Sequence, residues 1–158
     1  MDLKVTQIPK SETETLEIRC HKVSDEVREI VSFIKSRQGM ISGKIDGNIC
    51  EIPILDIYYF ESVDKRSFAY TASDNYEINM RIYELEELLR HSSFVRIQKG
   101  MLVNLLKIKS IKPGLSGRYV ALLKNKEEVI ISRNYVSALK KTLKGGSIWI
   151  WNINFIRQ

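Results

Sequence analysis

At 158 residues with 44% hydrophobic and 28% charged side chains, the chain suits one soluble domain with an appendage and can bury a real core. No run approaches the roughly 18–20 apolar residues that cross a bilayer, and no signal-peptide pattern opens it, so membrane insertion is excluded and a cytoplasmic protein is expected. The net charge of +6 divides unevenly: residues 1–93 hold 12 Lys and Arg against 17 Asp and Glu, whereas residues 94–158 hold 13 against 2, which points to a polyanion partner for the later part.

Residues 3–8 and 15–21 predict two short strands around the polar stretch Pro9–Glu14. A helix follows. Ser24 caps it, Asp25 and Glu26 suit its positive end, Lys35 and Arg37 its negative end, and Gly39 ends it. Val27, Ile30, Val31 and Ile34 recur at the spacing of one buried helical face, which needs an apolar partner in this chain or in another protomer. A hairpin is predicted over Met40–Ile45 and Asn48–Ile52, since Asp46-Gly47 between two apolar runs is a strong turn signal.

Strands follow at Ile57–Ser62, Phe68–Ala72 and Tyr76–Met80, joined through Val63–Ser67 and Ser73–Asn75. A short helix over about Ile82–Arg90 turns Ile82, Leu85, Leu88 and Leu89 inward and three glutamates outward. Five more strands are read at Phe94–Ile97, Leu102–Asn104, Ile108–Lys112, Tyr119–Lys124 and Glu128–Ser132, with turns at Pro113-Gly114 and Asn125-Lys126. A last helix over about Asn134–Lys144 carries Val136, Leu139 and Leu143 on one side. After Gly145-Gly146-Ser147, a strand would set Trp149, Trp151, Ile153 and Phe155 on one face, either packed on this domain or offered to a partner. The fold class is mainly β with short helices (α+β), as small antiparallel sheets. Three segments are expected: the extension 1–39, a domain 40–144 and the tail 145–158.

Enzymatic chemistry has little to stand on. His21 and His91 are the only histidines, and neither falls in a nucleophile or metal motif. Cys20 and Cys50 have no partners at metal-ligand spacing and read as thiols of a reducing compartment. No glycine-rich phosphate loop is present, and neither cofactor nor metal is expected. The binding candidates are polar, cationic tips between short apolar runs: Lys65-Arg66-Ser67, Gln98-Lys99-Gly100 and Ser132-Arg133-Asn134. Arg133 is the strongest, because a guanidinium can grip guanine O6 and N7 with two hydrogen bonds; a salt bridge within the fold is its competing role. Gly100 would allow close backbone approach to phosphate. Lys107, Lys109, Lys112 and Arg118 suit phosphates or a solvated strand edge. Asn104, ending a strand, is read as tying down a turn.

Phe94-Val95-Arg96 leading to Leu102-Val103-Asn104, then Ser132-Arg133 with Tyr135 just beyond, resembles the LytTR family of bacterial DNA-binding domains. Ile57-Tyr58-Tyr59-Phe60-Glu61, the helix from Tyr83 to Leu89 and Leu139–Leu143 extend the resemblance over roughly residues 40–144. It implies an elongated stack of small antiparallel sheets rather than a helix-turn-helix, and a transcriptional regulator reading double-stranded promoter DNA as paired direct repeats, hence a homodimer at least on DNA. It also implies a base or phosphate contact from the loop at Lys65-Arg66-Ser67. The chain departs from the family at the second tip, where members usually carry His-Arg or His-Lys and then Ser; Gln98 can still donate and accept hydrogen bonds. The roughly 40 residues ahead of the match are too few for a receiver domain of about 120 residues, so none is expected here. An RNA-binding or protein-interaction module using the same basic surface is the alternative reading.

Overall fold

Several turns of the chain fall where the backbone turns left-handed. Gly39 (φ 77°) ends the helix α1 (Asp25–Arg37), and Asp46 and Gly47 (φ 49° and 79°) close the hairpin of β1 (Met40–Ile45) and β2 (Asn48–Pro53). The computed structural model describes residues 2–144 and 154–155, with the remaining order β3 (Tyr59–Val63), β4 (Arg66–Tyr70), β5 (Asn75–Ile78), α2 (Ile82–Leu88), β6 (Phe94–Gln98), β7 (Met101–Asn104), β8 (Ile108–Pro113), β9 (Tyr119–Leu123), β10 (Glu128–Ile131), α3 (Arg133–Lys144) and β11 (Asn154–Phe155). The first seven strands form one antiparallel sheet in the order β2-β1-β5-β4-β3-β7-β6. The second sheet runs β10-β9-β8-β11, antiparallel except for β11, which lies parallel to β8. The expected face of Trp149, Trp151, Ile153 and Phe155 otherwise lies outside the described residues.

Two cores lie on opposite faces of the larger sheet. Phe60, Leu102, Phe94 and Ala69 pack with Ile82, Leu85 and Leu89 of α2 on one face. Tyr59, Met101, Val103 and Ile97 pack on the other against Ile111, Ala121, Leu123 and Ile131 of the second sheet and Leu139 of α3. β7 is therefore buried on both faces, all four of its residues included, which is why Met101–Asn104 shows no apolar-polar alternation.

Asn104 is fully buried, and its side chain closes a small network. Its amide donates to the Ile57 carbonyl (2.9 Å), and its oxygen accepts from Ser93 Oγ (2.7 Å) and the Leu106 amide (3.1 Å). It ties a turn, as its place at a strand end suggests.

The N-terminal extension departs from expectation. Its helix forms with the predicted cap, Ser24 accepting from the Val27 amide (3.3 Å), and packs on β1. Val27 is buried, while Ile30, Val31 and Ile34 are half-buried. Lys35 fastens the helix to the first hairpin by donating to Ser42 Oγ (2.8 Å) and Glu51 Oε1 (2.5 Å). The two strands expected at 3–8 and 15–21 do not form; residues 2–23 hold only a turn, and Leu3 and Val5 are 93% and 87% exposed. Alternation makes a segment compatible with a strand, but ladder hydrogen bonds require a neighbouring strand, and among the described residues none pairs with these.

Candidate nucleic-acid interface

The strand registers bring separate loops to one end of the molecule. Glu61 pairs with Met101 across β3 and β7, and the Ser62 amide donates to the Gly100 carbonyl (2.8 Å), so the β3–β4 turn neighbours the Lys99-Gly100 turn. On its other side the Gln98 amide reaches across to the Ile130 carbonyl (2.8 Å), and the Ser132 amide donates to the Ile97 carbonyl (2.8 Å). These two bonds stitch β6 to β10 and set Ser132-Arg133-Asn134 beside the second tip. The Arg133 side chain in turn lies over Gly117, where a Cβ would stand 3.3 Å from its Cδ. The 3-10 turn Leu115–Gly117 thereby joins the row, a loop that sequence reasoning missed apart from Arg118. Ser116 and Gly117 both hold positive φ (56° and 76°), a turn geometry that no sequence signal at Ser116 foretells.

The side chains on this row differ in availability. Lys65, Lys99, Arg118 and Arg133 are exposed, and among the described residues none has an acid partner. The salt bridge held open as the competing role of Arg133 is thus not found. Asn134 is exposed beside it, and Ser132 is half-buried, its carbonyl accepting from the Tyr135 amide (2.9 Å) at the start of α3. The first turn of α3 contains no acid to offset the positive end of the helix.

The first tip is tighter than the sequence suggests. Asp64 and Lys65 (φ 50° and 64°) close a two-residue turn, which moves Arg66 and Ser67 into β4. Ser67, expected on the tip, is buried. Arg66 forks onto Glu77 through Nε (2.9 Å) and Nη2 (2.5 Å) and lies over the Phe68 ring. That guanidinium holds the Glu77 carboxyl below the ordinary carboxylate range. Arg81, which drew no notice in the sequence, donates from Nη1 to the Lys65 carbonyl (3.4 Å).

The two acids of the basic half are engaged elsewhere. Glu127 accepts from the Tyr59 hydroxyl (3.0 Å), and burial followed by that bond pushes the phenol well above its usual range. Glu128 pairs with Lys112 (3.7 Å). Of the other expected phosphate partners, Lys109 is exposed on β8, while Lys107 lies over the Tyr58 ring at the far end, beside a cavity of about 250 Å³ lined by Asp56, Tyr76 and Glu51.

This β-rich frame has known counterparts. The sequence profile of the LytTr DNA-binding domain matches residues 47–144, more than half of the chain. The chain belongs to the LytTR family. A transcriptional regulatory protein of Escherichia coli (strain K12), YpdB, is 36% identical over 99 residues, covering 62% of this chain and 41% of YpdB. The chain thus spans about two fifths of that relative's length. An uncharacterized HTH-type transcriptional regulator of Staphylococcus aureus (strain NCTC 8325 / PS 47) is 29% identical over 139 residues, covering 86% of this chain and 94% of that protein. A solved LytTr DNA-binding domain from Bacillus cereus superposes with a TM-score of 0.64 at 26% identity, over 66% of this chain and 96% of that one. Despite the name of the S. aureus relative, strands separate every pair of successive helices among the described residues. The family is one of DNA-binding domains, and both sequence relatives are named as transcriptional regulators.

Proposed function

We infer that this chain is a sequence-specific regulator of transcription that sets its row of loops into the major groove of double-stranded DNA. The observation that carries this reading is the gathering of Lys65, Lys99, Arg118 and Arg133, exposed and without acid partners among the described residues, on adjacent loops of one end. Cations so placed displace counterions from a duplex, and rigid flanking strands let their tips read base edges. Membership in a family of DNA-binding domains, and relatives named as transcriptional regulators, support it.

Within that reading, Arg133 is the base reader, able to take guanine O6 and N7 together, with Asn134 and Ser132 beside it. The acid-free N-terminus of α3 and the Lys99-Gly100 turn face phosphates. Gln98 contributes chiefly its amide oxygen, since one N–H of its amide is given to the Ile130 carbonyl. At the first tip Lys65 is the contact and Arg66 a weaker one, because Glu77 already holds it. The chain acts as a homodimer on direct repeats, since one small module contacts few base pairs and two roughly sum their discrimination.

The test is enrichment of random duplexes by the purified chain, followed by a salt titration on the winner. With about five to seven phosphate contacts, log K should fall against log salt with a slope near −5 to −6. A slope near zero, or equal affinity for single-stranded RNA, would refute it.

A further inference from the structure

The guanidinium of Arg96 is turned inward on the tip that carries Lys99. Arg96 sits on β6 next to a register shift, and its side chain is only 20% exposed. Nε donates to the carbonyls of Gln98 (3.2 Å) and Lys99 (3.1 Å), and Nη2 donates to the Lys99 carbonyl as well. Nη1 faces Glu86 Oε1 of α2 (3.4 Å), which braces the guanidinium from the other side. All three nitrogens are therefore engaged within the protein, and the Nε–Nη2 edge of Arg96 is taken by the Lys99 carbonyl rather than left for a phosphate or a base.

The surroundings of the turn sharpen the point. Gln98 is tied to Ile130 and the Gly100 carbonyl to Ser62, so the turn is anchored at both flanks. Between those anchors the carbonyl of Lys99 projects from a two-residue loop, and Arg96 is what caps it. The Lys99 side chain is left exposed, with no acid partner among the described residues.

We propose that Arg96 is a positioning residue for recognition: braced by Glu86, it fixes the backbone of the 98–100 turn so that Gln98 meets a base, and Lys99 and Gly100 the phosphates, in one geometry. This rests on the reading that the turn faces DNA. It predicts that geometry, not charge, is what Arg96 supplies. Lysine keeps the charge but has a single nitrogen that cannot serve two carbonyls and a carboxylate with a planar fork. The α2 helix is thereby linked to the tip through Glu86.

The experiment uses the full chain and the duplex that the wild-type protein enriches from a random pool. Binding of that duplex and of a scrambled one is measured for wild type, R96K, R96Q and K99A across a salt series. Amide order parameters of Lys99 and Gly100 are recorded without DNA. R96K should keep the wild-type salt slope and its affinity for scrambled duplex, yet lose selectivity about tenfold, the size of one base contact, because the Gln98 amide oxygen is no longer held in place. Its Lys99 and Gly100 order parameters should drop towards those of a flexible loop, below about 0.6. K99A should instead weaken both duplexes and reduce the salt slope by about one. Unchanged selectivity in R96K overturns the proposal, and so does an equal loss on both duplexes, which would make Arg96 an ordinary phosphate contact. If R96Q fails to fold, R96K carries the comparison. A wild-type chain that enriches no duplex refutes the DNA reading instead, and unchanged order parameters in R96K would then separately refute the role of Arg96 in holding the turn.

Discussion

Replacing Asn104 with alanine removes the one side chain that joins three segments: the Ile57 carbonyl ahead of β3, Ser93 ahead of β6, and the Leu106 amide after β7. The Ser93 hydroxyl can turn to water, so its loss is minor. The Ile57 carbonyl and the Leu106 amide lose their bonds to a fully buried residue. An unsatisfied buried group costs about 1–3 kcal/mol, so the Ile57 carbonyl sets a loss of about that size, to which the half-buried Leu106 amide adds less. Against a total stability of about 5–15 kcal/mol, that is a large fraction. Urea unfolding followed by tryptophan-independent far-UV circular dichroism should show a lower midpoint with the same slope, since the surface exposed on unfolding hardly changes. Asn104→Asp should be destabilised too, because a carboxylate cannot donate to Ile57 and its charge would be buried. A loss below about 1 kcal/mol in the alanine variant would mean that water replaces these bonds at little cost and that the network is not a stabilising unit.

Arg133→Ala should cost about 1–3 kcal/mol on the enriched duplex and relax selectivity at one position, whereas Lys109→Ala should weaken all duplexes alike; two variants that behave the same across mismatched sites would remove Arg133 from base reading. Gly43→Ala should lower the melting midpoint, because a Cβ there would stand 2.5 Å from Ile52 Cδ1 and 2.8 Å from Tyr76 Cβ, while Gly100→Ala, whose Cβ meets Ser62 at 3.5 Å, should melt like wild type. The carboxyls of Glu77 and Glu51 are held down by Arg66 and Lys35, so their stabilisation is full above the unfolded value of about 4.3 and is lost as pH falls through the folded values. The melting gap between wild type and Glu77→Gln should accordingly close on acidification, and a gap that stays constant would contradict that linkage. Inserting about five base pairs between direct repeats should remove most cooperative affinity and about ten should restore part of it, since half a helical turn places one protomer on the opposite face; equal binding at every spacing would mean independent protomers.

Much of this protein is legible in its residues taken a few at a time. The hairpin at Asp46-Gly47, the capped helix at Ser24 and the inward face Ile82, Leu85, Leu89 follow from local rules, in which a turn, a cap or a period is complete within about ten residues. The charge contrast between the two parts and the polar tips at Lys99 and Arg133 are equally local, and the family resemblance rests on them. What the tertiary structure decided is which of those groups are available. Ser67 is buried and Arg66 paired because a tighter turn shifted the start of β4, and residues 3–8 form no strand because none among the described residues pairs with them. The seat of Gln98 on Ile130, 32 residues away, depends on how the sheets stack, and that of Arg96 against Glu86 on how α2 packs against β6. A polar side chain's role is set by whichever hydrogen-bonding partner comes within about 3 Å of it, and for these residues that partner arrives from a distant strand or helix only when the chain folds.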